Sequence, residues 1–121
     1  MKTEKPTTKI IAGKYKGKIL ELPSLDVTRS SKARLKESLF NVLQFDIIDK
    51  IFIESFAGSG SIGLEAISRG AKRAYFVELD KNSYQILLKN CRSVDMEKCQ
   101  TVQGNTFVQT PLFLDFLKNS N

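Results

Sequence analysis

A chain of 121 residues has the length of one small domain, and with 41% hydrophobic residues it is too apolar for wholesale disorder. It has no histidine, which excludes imidazole metal sites and the Ser-His-Asp and Cys-His schemes, and its two cysteines, Cys91 and Cys99, are too few for a disulfide framework. The formal net charge is +6; no run of about 18 apolar residues could span a membrane, and no apolar stretch follows the N-terminal lysines, so the chain reads as a soluble, cytoplasmic, basic domain.

The charge divides the chain. Ten of the 19 Lys/Arg but only three of the 13 Asp/Glu fall in residues 1–36. We therefore separate a basic N-terminal arm, 1–27, from a body, 28–121. Such an arm suggests a polyanion partner, most often nucleic acid; a solvated lysine-rich tail is the alternative. Within the arm, Lys9–Ala12 and Lys18–Leu22 are short β-type runs. Gly13 and Gly17 flank Lys14-Tyr15-Lys16, which predicts a hairpin with a basic, Tyr-tipped loop. Tyr15 could stack on a base or serve as an ordinary turn aromatic.

A helix is expected next, capped by Ser30 or Ser31, with Leu35, Leu39, Phe40, Val42 and Leu43 as its apolar stripe. Arg29, Lys32, Arg34 and Lys36 gather at its start, where cations oppose the helix dipole, and this favours an external anion. The body then alternates. Strands are predicted at 51–53, 74–77 and 100–103, and helices at 61–69, 81–92 and 107–118, with Pro111 acceptable only in a first turn. Asp80 or Asn82 is the expected cap of the second of these helices. Alternation of this kind means βαβ units and a parallel sheet. By the same spacing a further strand should begin just past residue 121, so the chain reads as stopping partway through a larger α/β fold.

Three loops carry the chemistry. Gly58, Gly60 and Gly63 form a G-x-G-x-x-G spacing directly after a strand and opening a helix. Such a turn serves a dinucleotide pyrophosphate or the methionine end of S-adenosylmethionine, or is a structural bend that binds nothing. Glu54, just before it, would repel a phosphate and suit an ammonium, which favours S-adenosylmethionine over a dinucleotide. Glu78, at the end of the second body strand and about 20 residues on, can accept both ribose hydroxyls. Gly104-Asn105-Thr106, after the third strand, offers a side-chain amide for the adenine amine and a backbone N–H for a ring nitrogen; ordinary turn chemistry is the alternative.

Several segments in order resemble bacterial 16S ribosomal RNA guanine-N(2) methyltransferases of the RsmD type: Lys9 to Lys18 (KIIAGKYKGK), Arg34 to Asn41 (RLKESLFN), Phe56 to Gly60 (FAGSG), Gly63 to Ala71 (GLEAISRGA) and Val77 to Asp80 (VELD). The resemblance implies an incomplete Rossmann-like S-adenosylmethionine-dependent methyltransferase fold, with a basic N-terminal β-hairpin. It implies Glu54, Phe56, Ala57, Gly58, Ser59, Gly60, Glu78, Leu79, Asn105 and Thr106 around the cofactor. Lys9, Lys14, Tyr15, Lys16, Lys18, Arg29, Lys32, Arg34 and Lys36 would face 16S rRNA or the small ribosomal subunit, with no metal and no membrane involved. The family's Asp/Asn-Pro-Pro-Phe/Tyr segment, which holds the target amine, has no counterpart, since no two of Pro6, Pro23 and Pro111 are adjacent. No catalytic residue is therefore assigned, and the chain alone is expected to be weak or inactive. A non-catalytic RNA- or nucleotide-binding module derived from that fold is the alternative function, and a dehydrogenase fragment a third.

Overall fold

The computed structural model describes residues 6–23, 28–43 and 45–119, with the side chains of the first helix described from residue 35. Strands β1 (Thr7–Lys9) and β2 (Ile19–Glu21) pair antiparallel, with Thr8 opposite Leu20. The hairpin is thus present, but its first strand ends earlier than the apolar run suggests. Beyond Lys9 the main-chain N–H groups of Ile11 and Ala12 turn away and donate to the carboxylate of Glu65. The segment read from the sequence as an arm is seated on the body. Ile10 and Leu20 are buried in one cluster with Leu64, Ile67, Phe76, Leu87 and Cys91. Asn90 fastens the second strand, accepting from Glu21 N–H at 3.0 Å and donating to the Glu21 carbonyl at 2.9 Å.

Helix α1 spans Thr28–Leu43. It starts before both serines expected to cap it; serine is compatible with a helical first turn, so the hydroxyl alone did not mark the boundary. Phe40 is fully buried in a second cluster with Ile47, Ile62, Ala66 and Ala71, and Leu39 and Leu43 pack against it. Leu35 and Val42 stay exposed, so the covered face is narrower than the predicted stripe. Lys36 departs further from expectation. It is 3% exposed, and its ammonium donates to the Lys9 carbonyl at 3.1 Å and lies 3.5 Å from Glu65. Its charge is used internally and is not at the surface where RNA contacts were expected.

The body contains β3 (Ile51–Glu54), α2 (Ser61–Ser68), β4 (Arg73–Glu78), α3 (Lys81–Val94), β5 (Cys99–Gln103) and α4 (Thr106–Lys118), with a short 3₁₀ turn at Met96–Lys98. The three strands form a parallel sheet in the order β3-β4-β5. β4 is central, and Ala74 to Val77 are all buried, as a continuous apolar run in a parallel sheet requires. Asp80 caps α3 as expected. Pro111 lies in the second turn of α4, not the first: it has no N–H to give the Phe107 carbonyl, a cost the helix absorbs. Among the described residues no helix is long and apolar enough to cross a membrane.

Helix α2 has all eight residues buried, including Glu65. That carboxylate is fully compensated: besides Ile11 and Ala12 N–H and Lys36, Arg69 Nε donates to it at 2.8 Å. Arg69 also lies over the Phe40 ring, 4.8 Å from its centroid. One side chain thus ties the hairpin, α1 and α2 together. Glu65→Gln would leave Lys36 buried without its counter-charge; unfolding free energy should fall by about 3–5 kcal/mol in guanidinium titration at pH 7. The cysteines give a second check. Both are buried, and the Cys99 thiol beside it, together with burial, pushes the Cys91 thiol far above its ordinary value. Thiol reagents at pH 8 should label neither cysteine in the folded chain and both in denaturant.

Candidate functional site

The C-terminal ends of the three strands converge, and the loops leaving them form the site. After Glu54 the chain runs through Ser55–Gly60 before entering α2. Ala57 N–H donates to the Val77 carbonyl at 3.0 Å, which carries the loop along β4. Gly60 has φ of +81°, and a Cβ there would lie 2.5 Å from Leu87. At Gly63 a Cβ would lie 2.3 Å from the Phe76 ring, so this third glycine lets α2 pack directly on β4.

Two carboxylates organise this loop differently. Glu54 is 7% exposed and accepts the Gly63 N–H at 3.0 Å. It lies under the first turn of α2, where a negative charge complements the helix dipole. Expected to meet a ligand ammonium, it is turned inward and does not line the cleft. Glu78 spans two loops. One oxygen accepts from Gly58 N–H at 2.7 Å and the other from Asp80 N–H at 2.9 Å. Each oxygen keeps acceptor capacity, since a carboxylate offers about four lone-pair sites.

Beside Glu78 opens a cleft of about 140 Å³ lined by Ser55, Phe56, Val77, Glu78, Leu79, Gly104, Asn105, Thr106 and Phe107. It brings together five of the residues expected around a cofactor: Phe56, Glu78, Leu79, Asn105 and Thr106. Gly58 reaches the cleft wall through its bond to Glu78. Ala57, Ser59 and Gly60 are buried behind it as supports, with Ser59 held through its carbonyl by Asn90. Asn105, expected to meet a base, uses its side-chain oxygen to cap α4 by accepting from Phe107 N–H at 2.8 Å. Thr106, Thr110 and Ser55 form a hydroxyl chain, at 2.8 and 3.2 Å, that joins α4 to the glycine loop. Ser55, Val77, Gly104 and Phe107 are added by the structure. Gly104 stood in the third loop's motif, and Phe107 follows that loop by one residue.

The basic candidates divide as well. Lys9, Lys14, Lys16 and Lys18 are exposed around the hairpin. Tyr15 is half-buried: its N–H donates to Ser68 Oγ, its hydroxyl to Asp95, and its ring packs against the core. It is held by the body, which favours the ordinary turn aromatic over the base-stacking reading. Lys14 N–H donates to the Ser68 carbonyl at 2.8 Å, so the loop closes the C-terminus of α2. Lysines there also complement the helix dipole. The side chains of Arg29, Lys32 and Arg34 lie outside the described residues.

Residues 8–113 match the family described as conserved hypothetical protein 95. The chain belongs to this family, the RsmD family. It is 40% identical over 114 residues to ribosomal RNA small subunit methyltransferase D of Haemophilus influenzae, covering 94% of this chain and 56% of that protein. With the protein of the same name from Escherichia coli K12 the identity is 37% over 97 residues, covering 80% and 49%. Among solved structures, YhhF of Escherichia coli superposes with a TM-score of 0.73 at 37% identity, covering 84% of this chain and 55% of that one. The chain therefore spans about half the length of the curated relatives it matches. Its three parallel strands and glycine loop form an incomplete Rossmann-like methyltransferase sheet.

Asp80 provides a test of the site's frame. The Ser83 N–H, then the Ser83 hydroxyl and the Asn82 N–H, hold its carboxyl below the ordinary value of 3.8. A depressed carboxyl stabilises the fold above its unfolded pKa, and that contribution is lost as pH falls through the folded one. Asp80→Ala should lower the thermal midpoint at pH 7, and the gap to wild type should close on acidification below pH 3.8.

Proposed function

We propose that this chain carries the cofactor half of an S-adenosylmethionine-dependent methyltransferase that acts on a guanine exocyclic amine of 16S rRNA in the small ribosomal subunit, in the cytoplasm. The observation that carries this reading is the position of Glu78, bonded to the glycine loop on one side and opening onto an apolar cleft on the other. Its remaining lone pairs suit two ribose hydroxyls. The cleft, at about 140 Å³, is close to the roughly 150 Å³ cavity size that accepts a benzene ring. It suits one flat heterocycle.

A dinucleotide fits less well. Its pyrophosphate would need the N–H groups at the start of α2. Glu54 already takes the Gly63 N–H, one of the donors a phosphate would need. A cationic sulfonium ligand with an ammonium needs none of those donors. When bound, S-adenosylmethionine supplies an electrophilic methyl group. This chain's residues would hold the donor in line for the acceptor, and such alignment accounts for much of the rate of a displacement. The relatives named ribosomal RNA small subunit methyltransferase D support rRNA as the acceptor. The exposed Lys9, Lys14, Lys16 and Lys18 supply a surface for its phosphates.

Calorimetric titration with S-adenosylhomocysteine checks the cofactor. Binding by the wild type, loss in Glu78→Ala, and no binding of NAD are expected; NAD in preference would overturn the assignment. For the RNA surface, replacing Lys14, Lys16 and Lys18 with Ala should weaken rRNA binding at all sequences. The slope of log K against log salt should fall by about 1 for each phosphate that is no longer neutralised.

A further inference from the structure

Asn90, on α3, makes three hydrogen bonds with its carboxamide, all to main chain. Its oxygen accepts the Glu21 N–H at 3.0 Å, and its nitrogen donates to the Glu21 carbonyl and to the Ser59 carbonyl, each at 2.9 Å. One donor and two acceptors around it fix which way the amide points, since its nitrogen carries two hydrogens and its oxygen none. The two ends of this bridge belong to different surfaces. Glu21 closes β2, the hairpin strand that begins beside Lys18. Ser59 stands next to Gly58, whose N–H is held by Glu78 at the cleft wall.

A carboxamide is planar and rigid. Pairing with both the N–H and the carbonyl of Glu21 takes the oxygen and the hydrogen on its own side, which leaves the other hydrogen for Ser59. A displacement of the Ser59 carbonyl therefore turns the plane to which Glu21 is paired. Asn90 is 3% exposed and Ser59 2% exposed, so water does not replace a bond lost between them. The other fastening of the hairpin, Glu65, holds a different part of it, the Ile11 and Ala12 amides.

We infer that Asn90 is a positioning residue that couples the two surfaces: a ligand that orders the glycine loop also orders β2, so cofactor and RNA each bind more tightly in the presence of the other. This rests on the cofactor and RNA readings of the cleft and the hairpin. Coupling of this kind needs no large movement. A ligand that restrains Ser59 restrains the carboxamide and the end of β2, and RNA then has less of the hairpin to order. Linkage makes the effect equal in both directions.

The test is the affinity of the full chain for naked 16S rRNA, with and without saturating S-adenosylhomocysteine. Wild type should bind the RNA about fivefold more tightly with the ligand present, and Asn90→Ala should bring that ratio to about 1. Cys91→Ala, the next residue of α3, opens a cavity in the core and leaves the three bonds in place. It should keep the wild-type ratio, which separates coupling from loss of stability. A ratio of about 1 in wild type would overturn the proposal, and so would the wild-type ratio in Asn90→Ala. If Asn90→Ala does not fold, amide exchange in the wild type decides the question. Saturating S-adenosylhomocysteine should slow exchange at the Glu21 N–H, held by Asn90, several-fold more than at the Ile11 and Ala12 N–H groups, held by Glu65. Equal slowing at all three is general stabilisation by a ligand and would overturn the coupling. Where calorimetry shows that wild type binds no S-adenosylhomocysteine, or binding assays show no affinity for RNA in either state, the reading of that surface fails, and the coupling with it.

Discussion

Both oxygens of Glu78 are held by main-chain N–H groups from two different stretches of chain, Gly58 in the glycine loop and Asp80 at the start of α3. Hydrogen bonds from backbone amides to a charged acceptor are stronger than neutral ones, and each amide would be left short of a partner if the carboxylate were removed. The side chain therefore shapes the loop and presents its remaining lone pairs beside the cleft. Glu54 performs a quieter task one strand away. It takes the Gly63 N–H at the N-terminus of α2 from below without entering the cleft.

Helix α2 links this site to the basic hairpin. Its N-terminus is the glycine loop, and its C-terminal carbonyl at Ser68 accepts from the hairpin's Lys14. Eight residues of α-helix rise about 12 Å, so the proposed cofactor and RNA surfaces lie at opposite ends of one short strut. Glu65 fixes that strut within the fold. Its buried charge is balanced by Lys36 and Arg69 and by two hairpin amides, a set that specifies one seating of the hairpin.

The body was readable from sequence because its signals are local. Short β-type runs of three or four residues alternate with helical spacing, and glycines and Asp80 punctuate them; the resulting boundaries fall within about two residues of those found. What escaped depends on partners distant in the chain. Lys36 looks like any member of its basic cluster in sequence, and only the seating of the hairpin beside Glu65 shows it buried. Past Lys9 the hairpin keeps one more set of cross-strand bonds, Ile10 N–H to the Lys18 carbonyl and Gly17 N–H to the Ile10 carbonyl, while Glu65, 54 positions from Ile11, takes the Ile11 and Ala12 amides. Tyr15 is drawn to Ser68 and Asp95 for the same reason.

The site was legible in its loops and less so in its individual roles. Spacing placed Gly58, Glu78 and Asn105 at three strand ends, and the parallel register brings those ends together. It did not separate residues that line the cleft from those that build its frame, since both kinds occupy one motif. Ala57, Ser59 and Glu54 are frame. Phe107, the residue after the third loop, lines the wall from the first turn of α4.

Amide-resolved NMR of the labelled chain during titration with S-adenosylhomocysteine addresses the central claim most directly. Concentrated shifts at Gly58, Leu79 and Thr106 in a single saturable process are expected if the three loops grip one ligand. Shifts confined to one of the three loops, or centred on the hairpin, would contradict it.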